Sequence, residues 1–243
     1  FSQNGEDGII AELSRRLAPR SFAVEIGAGD GSECNTRHLR ESGWDVTMID
    51  ADPRGADGIA RAFVTAENVN DLLAAHEVPN DLGLLSVDVD GNDLWIFLAL
   101  HERYRPAIVV TEYNATLGPS NSLSVPYRPR RIWDGTNHFG ASLLAFAIVA
   151  RGKGYSLVYC ESVGVNAFFV RSELLASGGL LEVGVTEAYR PPRYGPMDHV
   201  GSYRGHRPSD RRMWRIDSHA DALQRYEASR RASPLEWWRR HRY

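Results

Sequence analysis

Residues 24–31 read Val-Glu-Ile-Gly-Ala-Gly-Asp-Gly, an apolar run passing into three glycines at alternate positions. A buried strand ending at Ile26, a turn built from Gly27, Gly29 and Gly31, and a following helix form the unit that lets backbone approach a ligand closely. A tight strand-to-helix turn with no ligand would explain the glycines as well. What favours a site is Asp50, which ends the next apolar run about 20 residues further on, where a carboxylate can accept both hydroxyls of a ribose. Asp52, just beyond it, is the alternative for that contact.

The glycine spacing is GxGxG, not the GxGxxG of dinucleotide sites, and acids stand at Glu25 and Asp30. A pyrophosphate needs positive surroundings, so Asp30 disfavours NAD. An adenosine ligand with cationic groups, S-adenosylmethionine, suits the acids better.

Outward from this unit, strand and helix signals alternate. Strands are expected at Ser21–Ile26, Asp45–Asp50, Leu82–Val89, Ala107–Glu112, Tyr155–Tyr159 and Asn166–Val170. Helices are expected at Glu33–Ser42, Val69–His76, Leu94–Leu100 and Phe139–Ala150, and a terminal one at Asp217–Arg231. Near-continuous apolar strands alternating with helices predict an α/β fold with a doubly wound, mostly parallel sheet. The last two strands are joined too closely for a parallel crossover and should be antiparallel. Residues 1–180 form the expected ligand-binding domain. Residues 181–243 form an extension rich in arginine and aromatics, read as a cap over the site or a dimer element.

The chain of 243 residues has a formal net charge of -3 and is 43% hydrophobic, which allows a substantial core and gives no case for nucleic-acid binding. From Arg204 onward eleven arginines face five acids, and the tail EWWRRHRY (236–243) pairs aromatics with arginine. Single-strand nucleic-acid binders use such interleaving, but one short tract favours a contact with the body or a second subunit. Cys34 and Cys160 form no CxxC pair, and no apolar run approaches the ~20 residues of a membrane span. The expectation is a soluble, cytoplasmic protein without a membrane partner.

The opening SQNGEDGII (2–10) predicts a helix from about Gly5, with Asn4 as cap and Asp7 as its box partner. In SVDVDGND (86–93), a calcium loop would need Gly and Glu where Asp93 and Ala99 stand, so that reading fails. Two others remain. Asp90 caps the next helix with Asp93 as partner, or Asp88 and Asp90 join Glu112 and Asn114 at neighbouring strand ends to hold Mg²⁺. Without metal, Asp88 or Asp90 serves as general base, and His138, in the loop before FGASLL, is a further base candidate. Tyr113, Asn114 and Tyr127 are candidates for lining the acceptor pocket, the tyrosines equally explained as packing.

The segments FSQNGEDGI (1–9), VEIGAGDGSECNT (24–36), LLSVDVDGNDLWI (84–96), VVTEYNATLGP (109–119), VPY (125–127), FGASLLA (139–145) and GYSLVYCESVGVNAFFVR (154–171) occur in this order. Together they resemble the S-adenosylmethionine-dependent methyltransferases of the FkbM type, in the branch marked by an SQ-GED opening. The resemblance covers Phe1 to about Leu175. It implies a Rossmann-like class I fold in which Gly27, Gly29 and Asp30 hold the methionine end of the cofactor beside Glu25, and Asp50 holds the ribose. It further implies that Val64–Asn68, with Glu67 and Asn68, approach the adenine, and that Ser2, Gln3 and Glu6 contact the amino-acid part. The expected reaction is O-methylation of a small molecule or sugar, with a homo-oligomer left open. Two rivals stand beside it: a noncatalytic module that binds the cofactor and recognises a glycan or protein, and an NAD-dependent oxidoreductase.

Overall fold

A computed structural model describes residues 2–198 and 201–231, so Phe1 and the tail 236–243 lie outside the described residues. Helix α1 (Glu6–Leu17) precedes β1 (Phe22–Ile26), α2 (Arg37–Glu41), β2 (Asp45–Asp50), β3 (Ile59–Arg61), α3 (Val69–Ala75), β4 (Leu84–Val87), α4 (Asp93–Ala99) and β5 (Ile108–Glu112). There follow β6 (Leu123–Ser124), α5 (Leu143–Gly152), β7 (Tyr155–Cys160), β8 (Asn166–Arg171), α6 (Val185–Ala188), β9 (Trp214–Arg215) and α7 (His219–Arg231). Seven strands make one sheet in the order β3-β2-β1-β4-β5-β8-β7, and only β8 runs against its neighbours. The protein is therefore a mixed α/β fold with a mostly parallel sheet and an antiparallel last strand, as the alternation of the sequence predicts.

Both faces of the sheet are buried, which is why its central strands are mostly apolar. On one face Leu84, Ile108, Val110, Phe168 and Val170 pack with Ile10 and Leu13 of α1. On the other, Leu85 and Val87 meet Ile96 of α4, while Val109 and Phe169 meet Trp95, Phe97 and Phe146. The extension shares this second core: Ile216 and Ala222 are fully buried in it, and Tyr226 lies against Tyr127 with ring centroids 5.1 Å apart. Trp95 ties the two together, donating from Nε1 to the Val125 carbonyl at 2.9 Å and meeting Trp214 edge-on at 5.9 Å.

Several local expectations shift, each for a tertiary reason. Asn4 does not cap α1; Gly5 does, at φ +87°. Ser2 and Asp7 close the reciprocal box instead, the Ser2 hydroxyl accepting from the Asp7 amide and the Asp7 carboxylate from the Ser2 amide, each at 3.0 Å. Helix α2 starts four residues late because Glu25 draws the amides of Asn35 (3.3 Å) and Thr36 (2.9 Å) out of helical register. Helix α5 also starts four residues after its expected position: Asn114 and Val125 donate to the carbonyls of Ala141 and Gly140, holding that stretch extended until Ser142 caps the helix. Among the described residues no helix is long and apolar enough to cross a membrane.

Candidate active site

A cavity of about 890 Å³ opens beyond the carboxyl ends of β1, β2, β4 and β5, the crevice where open α/β sheets bind ligands. Its floor exists because Gly27 has no side chain. At φ +88° a Cβ there would stand 1.5 Å from the Asp88 carbonyl oxygen, so β1 and β4 close on each other only through glycine.

The glycine turn is surrounded by acids, of which Asp50 braces it directly. Asp50 takes the Gly29 amide on Oδ2 at 2.8 Å and the Asp52 amide on Oδ1 at 2.6 Å, leaving one lone pair on each oxygen. Glu25 is 2% exposed, and burial pushes its carboxyl up to about 7 against the pull of its hydrogen bonds to Thr36, Ser86 and Asn35. Asp30 stays exposed at the rim, its pKa lowered by Ser32, whose amide donates to it at 3.0 Å. From α1 the buried Glu6 reaches Asn166 Nδ2 at 2.8 Å, and Gln3 donates to Glu33 at 2.8 Å; all four residues line the cavity.

Across the cavity stand Asp88, Asp90 and Glu112, each offering an oxygen within 4.8 Å of the others. Among the described residues none of them is in an ion pair, and Glu112 Oε2 is buried without a hydrogen-bond partner. Burial first, and then the neighbouring acids, raise the pKa of Asp88 and of Glu112 well above the carboxylate range. Asp90 is raised by burial too, with His206 pulling the other way. Asp90 does not cap α4, whose N-cap is Asn92; it sits at φ +55° in a loop pinned by Asp93, which accepts the amides of Val89 at 2.7 Å and Gly91 at 2.9 Å.

The other expected residues lie outside this space. Asn114 is fully buried, donating to the carbonyls of Asn137 and Phe139 and accepting from Thr116, so it is not part of the carboxylate cluster. Tyr113 donates to the Arg190 carbonyl at 2.8 Å, and Tyr127 bonds Glu67 and the Ala66 amide; both are buried away from the cavity. Asn68 accepts the Thr65 amide at 2.7 Å, and neither it nor Glu67 reaches the cavity, whereas Ala62, Phe63 and Val64 do. His138 is 6% exposed, shares Nε2 with the Arg212 carbonyl at 3.1 Å, and is held down to about 4 chiefly by burial. The histidine that lines the cavity is His206, together with Tyr194, Trp133 and Arg131. Arg131 and Trp133 come from the segment between β6 and α5, Tyr194 and His206 from the extension. The aromatic spacing of YRPPRYGPMDHVGSYRGH was the available signal, but nothing local says which rings turn inward.

No protein-family model matches the chain, and no curated protein matches it. Among solved structures it is similar to the N-terminal domain of EvdMO1 with SAH bound, at 10% identity over 68% of this chain and 79% of that one, with a TM-score of 0.38. The same domain in the presence of SAH and D-fucose gives 10% identity over 70% and 83% of the two chains, with a TM-score of 0.39.

Proposed function

We propose that the protein is an S-adenosylmethionine-dependent methyltransferase of the FkbM type that methylates a hydroxyl of a small molecule or sugar. The observation that carries this is the juxtaposition, in one cavity, of the glycine turn braced by Asp50 and the cluster of Asp88, Asp90 and Glu112. The acid-rich lining fits a sulfonium ligand and opposes a pyrophosphate, which supports this reading over an NAD enzyme.

S-adenosylmethionine, when bound, supplies a methyl group on positively charged sulfur, and its transfer leaves an O-methyl ether and S-adenosylhomocysteine. Gly27, Gly29 and Asp30 hold the methionine portion, with Gln3 and Glu6 beside it. The free lone pairs of Asp50 take the ribose hydroxyls, and Phe63 and Val64 form the adenine wall. On the acceptor side the carboxylate cluster holds the attacking hydroxyl and draws off its proton. The same three oxygens fit a divalent cation, because unneutralised carboxylates this close repel one another; Mg²⁺ held by Asp88, Asp90 and Glu112 would lower the hydroxyl's pKa. Fixing the two reactants in line is the larger part of the rate.

Thermal unfolding with S-adenosylhomocysteine, with NAD as control, tests the cofactor. A ligand at about 100 times its Kd stabilises by about 2.7 kcal/mol, and at ~2–4 °C per kcal/mol Tm should rise by roughly 5–11 °C with S-adenosylhomocysteine alone. A shift with NAD instead would reverse the assignment. Binding without turnover of any acceptor would leave the noncatalytic module. If the metal takes part, chelation abolishes transfer and spares cofactor binding; full activity in chelator removes it from the mechanism.

Calorimetry of two variants separates the ribose contacts. Asp50→Ala should weaken S-adenosylhomocysteine binding at least ~10-fold, because it removes both the contact and the Gly29 brace, whereas exposed Asp52→Ala should cost less. The reverse order would move the ribose to Asp52.

A further inference from the structure

The acceptor side of the cavity has a second wall. Trp133, Tyr194 and His206 line it, and the His206 ring lies 4.5 Å from Trp133, 5.0 Å from Tyr194 and 5.3 Å from Phe139. The rings are brought together by a crossing of the extension on itself: Gly205 donates to the Tyr194 carbonyl at 3.1 Å, and a Cβ on Gly195 would strike the Gly205 oxygen at 1.9 Å. Ring faces are electron-rich and attract both the polarised C–H groups of a sugar's apolar face and an ammonium.

The charges are one-sided. Nine of the residues lining the cavity are acids and two are arginines. Arg131 lines the cavity with its Nη2 on the Pro126 carbonyl at 3.3 Å and its Nη1 on the His138 carbonyl at 3.5 Å, and its Nε is buried without a partner. Arg54 stands on the cofactor side, near enough to Asp30 to favour its ionised form. The acceptor side therefore sets three carboxylates and a group of aromatic rings against one arginine, whose two Nη atoms are already taken by backbone carbonyls. Two buried amides of the cavity lining also lack donors: Asn92 Oδ1 and Asn166 Oδ1, on residues 3% and 4% exposed, have no partner.

We infer that the acceptor is a sugar ring bearing no acid group, seated on Trp133, Tyr194 and His206 with its hydroxyls toward Asp88, Asp90 and Glu112, and bound more tightly when one hydroxyl is replaced by an amine. The inference rests on the methyl-transfer reading above. A uronic acid or sugar phosphate would bring its charge against the carboxylate cluster, and like charges set side by side disfavour the wrong partner.

The test first measures S-adenosylhomocysteine binding, whose absence would sink the methyl-transfer reading itself. With that binding in hand, methyl transfer from S-adenosylmethionine is assayed by mass spectrometry on three matched series: neutral methyl hexosides, their 2-amino-2-deoxy counterparts, and the corresponding uronates. Products are expected from the neutral and amino series, with kcat/KM at least ~10-fold above any uronate and the amino members highest. Trp133→Leu and His206→Gln should each raise the acceptor's KM several-fold and leave S-adenosylhomocysteine affinity unchanged. Uronates turned over as well as the others, or no sugar of any series methylated by protein that binds S-adenosylhomocysteine, would overturn the inference. So would KM values unmoved in both variants.

Discussion

Gly27→Ala is expected to lower Tm by roughly 4–20 °C and to abolish S-adenosylhomocysteine binding. The added methyl meets the Asp88 carbonyl oxygen at 1.5 Å and its carbon at 2.6 Å, both backbone atoms of a central strand that cannot swing aside. Relief requires parting the end of β1 from β4, which breaks the bond from the Asp88 amide to the Ile26 carbonyl at 2.9 Å. Left-handed strain of ~1–2 kcal/mol and overpacking of ~1–3 kcal/mol act together, at ~2–4 °C per kcal/mol for a chain of this size. Gly29→Ala is the control. Its φ of +56° carries the same strain, but a Cβ there meets nothing within 4 Å, so it should lose about half as much or less. Equal Tm values for the two variants in differential scanning calorimetry would show that the close approach is not what holds the turn.

Asp88→Asn is expected to reduce turnover by ~10²–10⁴-fold while making the protein more stable near neutral pH. The carboxylate is held at a raised pKa by burial and by Asp93, Asp90 and Glu25, so its ionised form is a native-state cost. The sign follows from linkage. Below the unfolded-state values, near 3.8 for Asp and 4.5 for Glu, these groups are protonated in both states and cost nothing. As pH rises toward the folded-state values, about 6 for Asp93 and about 7 for Glu25, the unfolded chain sheds protons first and stability falls. Urea unfolding in chelator at pH 5 and pH 7.5 should show the wild type losing stability over that interval and Asp88→Asn losing less. A steeper loss in the variant would mean that Asp88 is paired favourably in the folded protein, and a turnover near wild type would remove it from the chemistry.

The parts of this protein that can be read from its sequence are those whose reasons are local. Strands β1, β2, β4 and β5 are mostly apolar because both faces of the sheet are covered, and each ends in, or is followed at once by, an acid or glycine that lines the crevice; the runs and their ends are visible together. Strands β3, β6 and β9, with three, two and two residues, exist through their partners and leave no periodic trace. The run from Gly27 to Asp30 is contiguous motif, and its place at the crevice is legible in the sequence. The cluster of Asp88, Asp90 and Glu112 was legible from strand ends alone, but Asn114 and Tyr113 were not separable from it. Past the end of β5 successive side chains turn to opposite sides, and one or two positions decide between cavity and core. Nothing in the sequence prefers His206 to His138. That choice is made by the glycine crossing of the extension, which brings His206, 73 positions beyond Trp133, back against it.

The place of β8 between β5 and β7 has a consequence for how the chain is made. On the ribosome, β1 to β5 emerge in an order that lets each parallel neighbour dock soon after synthesis, but β5 then waits for a strand that begins at Asn166. At ~5–20 residues per second, the segment between them leaves the edge Ile-Val-Val-Thr-Glu unpaired for several seconds. An unpaired apolar edge is a template for another chain. Nascent-chain surveillance of this protein should therefore fall most heavily between the emergence of Glu112 and that of Arg171, and a ribosome stalled within that window would hold its most association-prone form.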